Sequence, residues 1–411
     1  MPVGEKGKKA AQPRPQGTNA GSPLPHRVRR TMTTVPAETK AWPLRVETIG
    51  CEVASELSPQ ALGLTYWLDV APEGEPYQVG VRFVGHRSGV RGKPGPRDSF
   101  NVVETIDRVL PGSGPIAITA RVYDIEPGSW QVTGAPCADA RRSEAKLRSL
   151  PAERPRLPKG SALGTTIYAP IVGVCAPGAY RGVWPSLVAL GAAIALATQA
   201  LLAIHAHLLV TSVLEISLLA CVVGLIAAKA YYMTGHLITG DHHGLRSLLS
   251  GGMCIQGFVL GAIGALVVGV RLSGAPVGPV LDVTAPGLLF AMTIGRFGCF
   301  FGGCCAGRPT ASRWGLWSSD RRLGVRRVPS QLLEAAVALS AGSAALLLVL
   351  RTSPSPPGVI FVGAMASYTL GRQLVFPMRA NPGHTPYGRT FMMVLAGGIL
   401  LVDILVAASA K

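Results

Sequence analysis

The feature that most constrains this 411-residue chain is a succession of long apolar blocks beginning at residue 183. A helix that crosses a bilayer needs about 20 predominantly apolar residues. Seven stretches approach that length: Val183–Ile204, Leu209–Tyr232, Gly251–Val270, Leu281–Phe301, Leu332–Leu350, Gly358–Phe376 and Phe391–Ala408. The only acidic residues after Gly182 are Glu215, Asp241, Asp282, Asp320, Glu334 and Asp403. So few carboxylates among so many apolar residues imply a polytopic α-helical membrane protein with about seven transmembrane helices, spanning 183–408.

The preceding part follows different rules. Residues 1–43 are basic and rich in Pro and Gly without an apolar core, which reads as a disordered tail and not a signal peptide. Between 44 and 140, runs such as LGLTYWLDVA, YQVGVRFVG and IAITARVYDI are rich in β-branched residues and partly alternating. PEGEP, GKPGPRD and LPGSGP punctuate them with turn chemistry. Six or seven short strands at this spacing suggest a small all-β, Ig-like sandwich, a binding or spacer module whose partner is unknown. Residues 141–182 form a basic linker suited to an anionic membrane surface. The net charge of +17 therefore points to anionic lipid, and no nucleic-acid-binding motif accompanies it.

Chemistry concentrates in GRFGCFFGGCC, Gly295 to Cys305. An arginine within a spanning segment costs at least about 2.5–3.5 kcal/mol on insertion scales, so Arg296 is expected to face a polar cavity or an anionic ligand. Its guanidinium fork suits a phosphate. Gly295 and Gly298 allow close approach of backbone or ligand. The eight cysteines contain no C-x-x-C pair, so neither a zinc ribbon nor a thioredoxin-type motif is expected. Cys299, Cys304 and Cys305 read as buried small residues, with a reactive thiolate or a metal site as alternatives. Cys51 and Cys137 bracket the β region and suit a bridge only in an oxidising compartment. GDHHG, Gly240 to Gly244, reads as a polar loop whose His242 and His243 are also candidates for a proton acceptor.

The blocks Asp282-x-x-Ala285-Pro286, Gly295-Arg296-x-Gly298-x-Phe300 and Gly307 resemble the signature region of the bacterial prolipoprotein diacylglyceryl transferase family. SGGMCIQG (250–257), VPSQLLEA (328–335) and YTLGRQLVFPMR (368–379) resemble further family segments in the same order. The resemblance implies a multi-pass protein of the bacterial plasma membrane that moves a diacylglyceryl group from phosphatidylglycerol to the lipobox cysteine of a lipoprotein precursor. It requires no cofactor and no metal. It assigns the phosphate to Arg296 and Arg372, with Gln331 and Glu334 organising them and Lys229 standing where the family has an arginine. Gln256 occupies the family's histidine position and cannot act as a base at neutral pH. Cys299, Gly302 and Cys304 replace two asparagines and a glutamate, and Phe376 replaces a glutamate. The alternative function is a catalytically divergent lipid-binding or scaffold paralogue, and a thiol-based membrane oxidoreductase ranks behind both.

Orientation stays open in the sequence. Arginines crowd the loops that share a side with the N-terminal region, which the positive-inside rule assigns to the cytoplasm. The family resemblance assigns that side to the exterior.

Overall fold

A computed structural model describes residues 43–48, 56–137, 159–238, 255–352, 356–380 and 387–409. The expected tail up to residue 42, the first part of the basic linker (141–158), Cys51, His242 and His243 lie outside these residues, and so does the side chain of Gln256.

The apolar blocks form helices α1 (Val183–His205), α2 (Val210–Ile238), α3 (Ile255–Leu272), α4 (Val277–Gly302), α5 (Ser330–Arg351), α6 (Val359–Val375) and α7 (Gly388–Ser409). Six of them are long and apolar enough to cross a membrane, whereas the described apolar part of α3, Gly257–Leu272, is shorter. The protein is thus a multi-pass α-helical membrane protein preceded by a β region. Helix α4 is the central element, packing against α1, α5 and α6.

Lipid offers no hydrophobic drive for helices to associate, so close backbone packing has to supply the contact. Small residues line the α1–α4 seam: a Cβ on Gly191 would stand 3.1 Å from the Ala291 carbonyl, and one on Gly287 would stand 2.5 Å from that of Ala195. Asp282 of α4 accepts hydrogen bonds from the Gly358 and Phe361 amides at 2.7 and 2.9 Å. It thereby satisfies donors at the start of α6 that have no helical partner and little access to water.

Among the described residues ten strands accompany the helices: β1 (Leu44–Val46), β2 (Gln60–Leu68), β3 (Tyr77–Arg87), β4 (Ser99–Val109), β5 (Ile116–Val122), β6 (Ser129–Cys137), β7 (Gly160–Thr165), β8 (Ile167–Tyr168), β9 (Leu316–Ser319) and β10 (Leu323–Arg327). One antiparallel sheet runs β1-β2-β5-β10-β9 with β8 attached to β2, and the other runs β4-β3-β6-β7. Alternating apolar residues from both sheets, among them Leu64, Tyr66, Phe83, Ile118 and Trp130, form one buried core.

Two strands come from an unexpected source. The β9–β10 hairpin belongs to the segment joining α4 to α5, yet Leu323 and Gly324 pair with Ile118 and Ala117 of β5. The β region is therefore completed by the membrane part of its own chain. Trp317 of β9 stacks on Trp67 with ring centroids 5.4 Å apart and donates Nε1 to the Pro115 carbonyl at 3.1 Å. Arg121 of β5 binds the carbonyls of Val172, Cys175 and Arg321 at 3.0, 3.0 and 2.7 Å. Arg322 reaches across to Glu104 at 3.0 Å. β7 and β8 add further strands from the middle of the 141–182 stretch whose charge reads as a linker, so its described part belongs to the β region.

Candidate functional site

Three helices and one short segment converge on a single carboxylate. Glu334, one turn into α5, is 1 % exposed. Arg296 of α4 meets its Oε2 at 2.7 Å, Arg372 of α6 stands 3.7 Å from the same oxygen, and Arg379 lies 3.8 Å from Oε1. Arg296 is itself 9 % exposed. Three guanidiniums thus surround one carboxylate and leave two positive charges in a largely buried place. Burying charge is costly unless opposite charge compensates it. The surplus is therefore suited to an anionic ligand.

Local structure explains how each group arrives. Arg296 and Thr293 lie on the buried face of α4, and the Thr293 hydroxyl, within 3.5 Å of the Ala335 carbonyl, ties that face to α5. Arg379 follows the single 3₁₀ turn Phe376–Met378 that ends α6. Its segment is held by Arg308 N–H donating to the Met378 carbonyl at 2.8 Å and by Ala380 N–H donating to Ala306 at 2.9 Å. Gly307 lies in this crossing, where a Cβ would overlap the Val328 carbonyl, so only glycine fits. Phe376 offers its ring to the Arg379 guanidinium at 5.6 Å.

Gln331 is buried beside Glu334 on α5 and donates Nε2 to the Cys304 carbonyl at 3.0 Å, while its Oε1 has no partner among the described residues. Helix α4 ends at Gly303, whose φ of +68° reverses the chain. The reversal returns Cys304 and Cys305 toward Cys299, and the three Sγ atoms lie within 4.8 Å of one another. A cavity of about 310 Å³ opens beside this turn, with Arg181, Trp184, Cys304 and Arg321 in its wall.

The structure thus brings together four of the residues singled out from sequence: Arg296, Arg372, Gln331 and Glu334. Gly298 lies 3.5 Å, by its Cβ position, from Trp184 and Leu187, which accounts for it as a packing position on α1. Gly295 faces open space. Lys229, on α2, stands 5.7 Å from the Tyr232 ring and is not among the cations paired with Glu334. Arg379 closes the YTLGRQLVFPMR block but is not among the residues assigned a role from sequence; its spacing of seven from Arg372, about two helical turns, is the available signal.

A second buried arginine lies nearby with a different balance. Arg327 of β10, 2 % exposed, meets Asp320 at 2.6 Å and donates to the carbonyls of Gly307 and Leu323 at 3.1 and 3.0 Å. Burial pulls its pKa below the usual guanidinium value, and Asp320 opposes that shift.

The sequence that carries this arrangement matches a known family. The family model described as prolipoprotein diacylglyceryl transferase matches residues 183–408, more than half of the chain. A phosphatidylglycerol–prolipoprotein diacylglyceryl transferase of Tropheryma whipplei is 26% identical over 194 residues, covering 44% of this chain and 71% of that protein. One from Cutibacterium acnes is 31% identical over 215 residues, covering 46% and 70%. One from Rhodococcus jostii is 36% identical over 129 residues, covering 30% of this chain and 36% of that protein. The matched span contains all seven apolar helices and every side chain of the Glu334 cluster, so the chain belongs to the prolipoprotein diacylglyceryl transferase family.

Proposed function

We propose that this protein is a phospholipid-dependent transferase of the bacterial plasma membrane that moves a diacylglyceryl group from phosphatidylglycerol to the lipobox cysteine of a lipoprotein precursor. The observation that carries this reading is the group of three arginines around one buried carboxylate. The acceptor sulfur attacks the glyceryl carbon and a C–S bond forms. The C–O bond to phosphate breaks, and glycerol phosphate leaves with the electron pair. Negative charge grows on the departing phosphate, where preorganised guanidiniums act with most effect. Arg296 and Arg372 hold the phosphate, joined by Arg379. Glu334 and Gln331 fix the arginines and the Cys304 carbonyl. Gly295 leaves room for the headgroup, and Lys229 serves as a further cation on the approach. The acceptor proton goes to solvent or to a residue outside the described set, for which His242 and His243 stand as candidates and Gln256 does not.

The pairing of β10 with β5 supports a seven-span topology. The β region and the α4–α5 segment share one sheet and hence one side of the membrane. An even number of crossings must separate them, so α3 crosses along with α1, α2 and α4. The arginine cluster then opens on the side that carries the β region.

The test is mass spectrometry of a lipobox peptide incubated with the purified full chain and phosphatidylglycerol. A gain of one diacylglyceryl group on the peptide cysteine, slowed at least about 10²-fold in Arg296→Ala, is expected. No gain from folded protein that retains the phospholipid would overturn the transferase reading in favour of a lipid-binding paralogue.

A further inference from the structure

Three cysteines at the end of α4 are not used by the transfer chemistry, yet their side chains converge. Cys299 comes from the last turn of the helix, while Cys304 and Cys305 come from the chain reversal beyond it. All three Sγ atoms converge within 4.8 Å. A tetrahedral zinc–thiolate centre has Zn–S bonds of about 2.3 Å, which corresponds to sulfur separations of about 3.8 Å. The thiols therefore need to close by only about 1 Å around an ion. A disulfide uses two sulfurs and leaves the third without a role.

Backbone contacts hold the ring of thiols before any ion arrives. The Cys304 amide donates to the Cys299 carbonyl at 3.1 Å, and Gln331 holds the Cys304 carbonyl at 3.0 Å. Cys305 adopts a φ of +55°, a left-handed conformation unusual for a residue with a Cβ, and the Ser330 hydroxyl lies 3.5 Å from its carbonyl. Access exists on two sides, since Cys305 is exposed and Cys304 lines the 310 Å³ cavity. Charge is also compensated. Three thiolates around a divalent ion carry one net negative charge, and Arg296 and Arg379 both stand within electrostatic reach of Cys305.

We propose that Cys299, Cys304 and Cys305 bind one thiophilic d¹⁰ cation of the zinc class, held by three thiolates with the fourth coordination position open. Three protein ligands and an open position characterise a reactive zinc site, whereas structural sites are closed by four. The open position suits a thiol, because a coordinated thiol gives up its proton and remains as thiolate. Binding of the ion does not rest on the transferase reading.

The experiment titrates Cd²⁺ into the reduced, purified full chain and follows sulfur-to-metal charge-transfer absorption. Saturation at one Cd²⁺ per chain is expected, with binding weakened at least tenfold in Cys299→Ser, Cys304→Ser and Cys305→Ser and retained in Cys221→Ser. Absence of the band in folded wild-type protein, or a band undiminished in both Cys304→Ser and Cys305→Ser, would overturn the proposal. Peptide transfer measured on the same samples separates the two ideas: transfer without metal binding removes the site and leaves the transferase. Metal binding without transfer leaves the site and removes the transferase.

Discussion

Asp320–Arg327 and Glu334 with its three arginines each hold a nearly hidden arginine, are both built on the α4–α5 segment and its flanks, and are opposite in what they leave over. In the hairpin one acid meets one arginine, and two backbone carbonyls take further guanidinium donors. The charges cancel, and the pair ties the β9–β10 hairpin to the chain crossing at Gly307. Around Glu334 the charges do not cancel. A balanced pair serves the fold, and an unbalanced buried cluster is matched to something that arrives from outside. Arginine burial alone would not separate these roles, since Arg296 and Arg327 are both nearly hidden.

The sharpest way to break the comparison exchanges the two arginines' expected phenotypes. Arg296→Ala should lower the transfer rate about 10²- to 10³-fold, the usual effect of removing one preorganised charge partner from a transition state. Its unfolding midpoint should move little, because Glu334 keeps two other cations. Steady-state peptide transfer and thermal unfolding on the same preparation check both parts.

Asp320→Ala should do the reverse. It leaves the Arg327 guanidinium buried without its carboxylate, at a cost of about 3 kcal/mol, while the rate per folded molecule stays unchanged. Trp317→Ala comes next, at about 2 kcal/mol, because it removes a stacked ring and an indole hydrogen bond at the hairpin's contact with β2 and β5. Faster amide exchange at Ile118 and Leu323, with exchange in β3 and β4 unaltered, would show the hairpin loosening from the sheet.

The smallest effect concerns Asp98. Its carboxyl is held below the ordinary carboxylate value by the Gly95 amide first and by Arg87 next. A group with a depressed folded pKa adds stability above its unfolded pKa and loses it as pH falls through the folded value. Acid unfolding of wild type should therefore show a stabilising contribution that fades only on the acid side of the normal carboxylate range. Asp98→Asn should remove that limb and leave the Glu334 chemistry untouched.

Much of this was legible because membrane helices are written in composition. The apolar blocks became helices, six of them long and apolar enough to cross a membrane, with boundaries displaced by a few residues where polar ends continue the helix, as from Leu332 back to Ser330. Arg296, Arg372, Gln331 and Glu334 were legible because a charged or amide side chain in such a block is costly and therefore conspicuous. The hairpin was not legible as part of the β sheet: LWSS and LGVRR are too short to announce themselves, and their partner Ile118 lies about 200 residues away. Gly298 looked like a ligand-approach position because helix–helix contact and ligand contact demand the same residue. The cysteines were visible as a pattern, but their convergence depends on the left-handed turn at Gly303 and Cys305, which spacing does not reveal.

The most direct test of the central claim measures what the surplus charge holds. Purified full-length protein equilibrated with equal amounts of phosphatidylglycerol and phosphatidylcholine is examined by native mass spectrometry, alongside Arg296→Ala, Arg372→Ala and Asp320→Ala. Preferential retention of phosphatidylglycerol is expected in wild type and in Asp320→Ala, and its loss in the two arginine variants. A preference that survives both Arg296→Ala and Arg372→Ala would contradict the account, because the anionic lipid would then be held somewhere other than at Glu334.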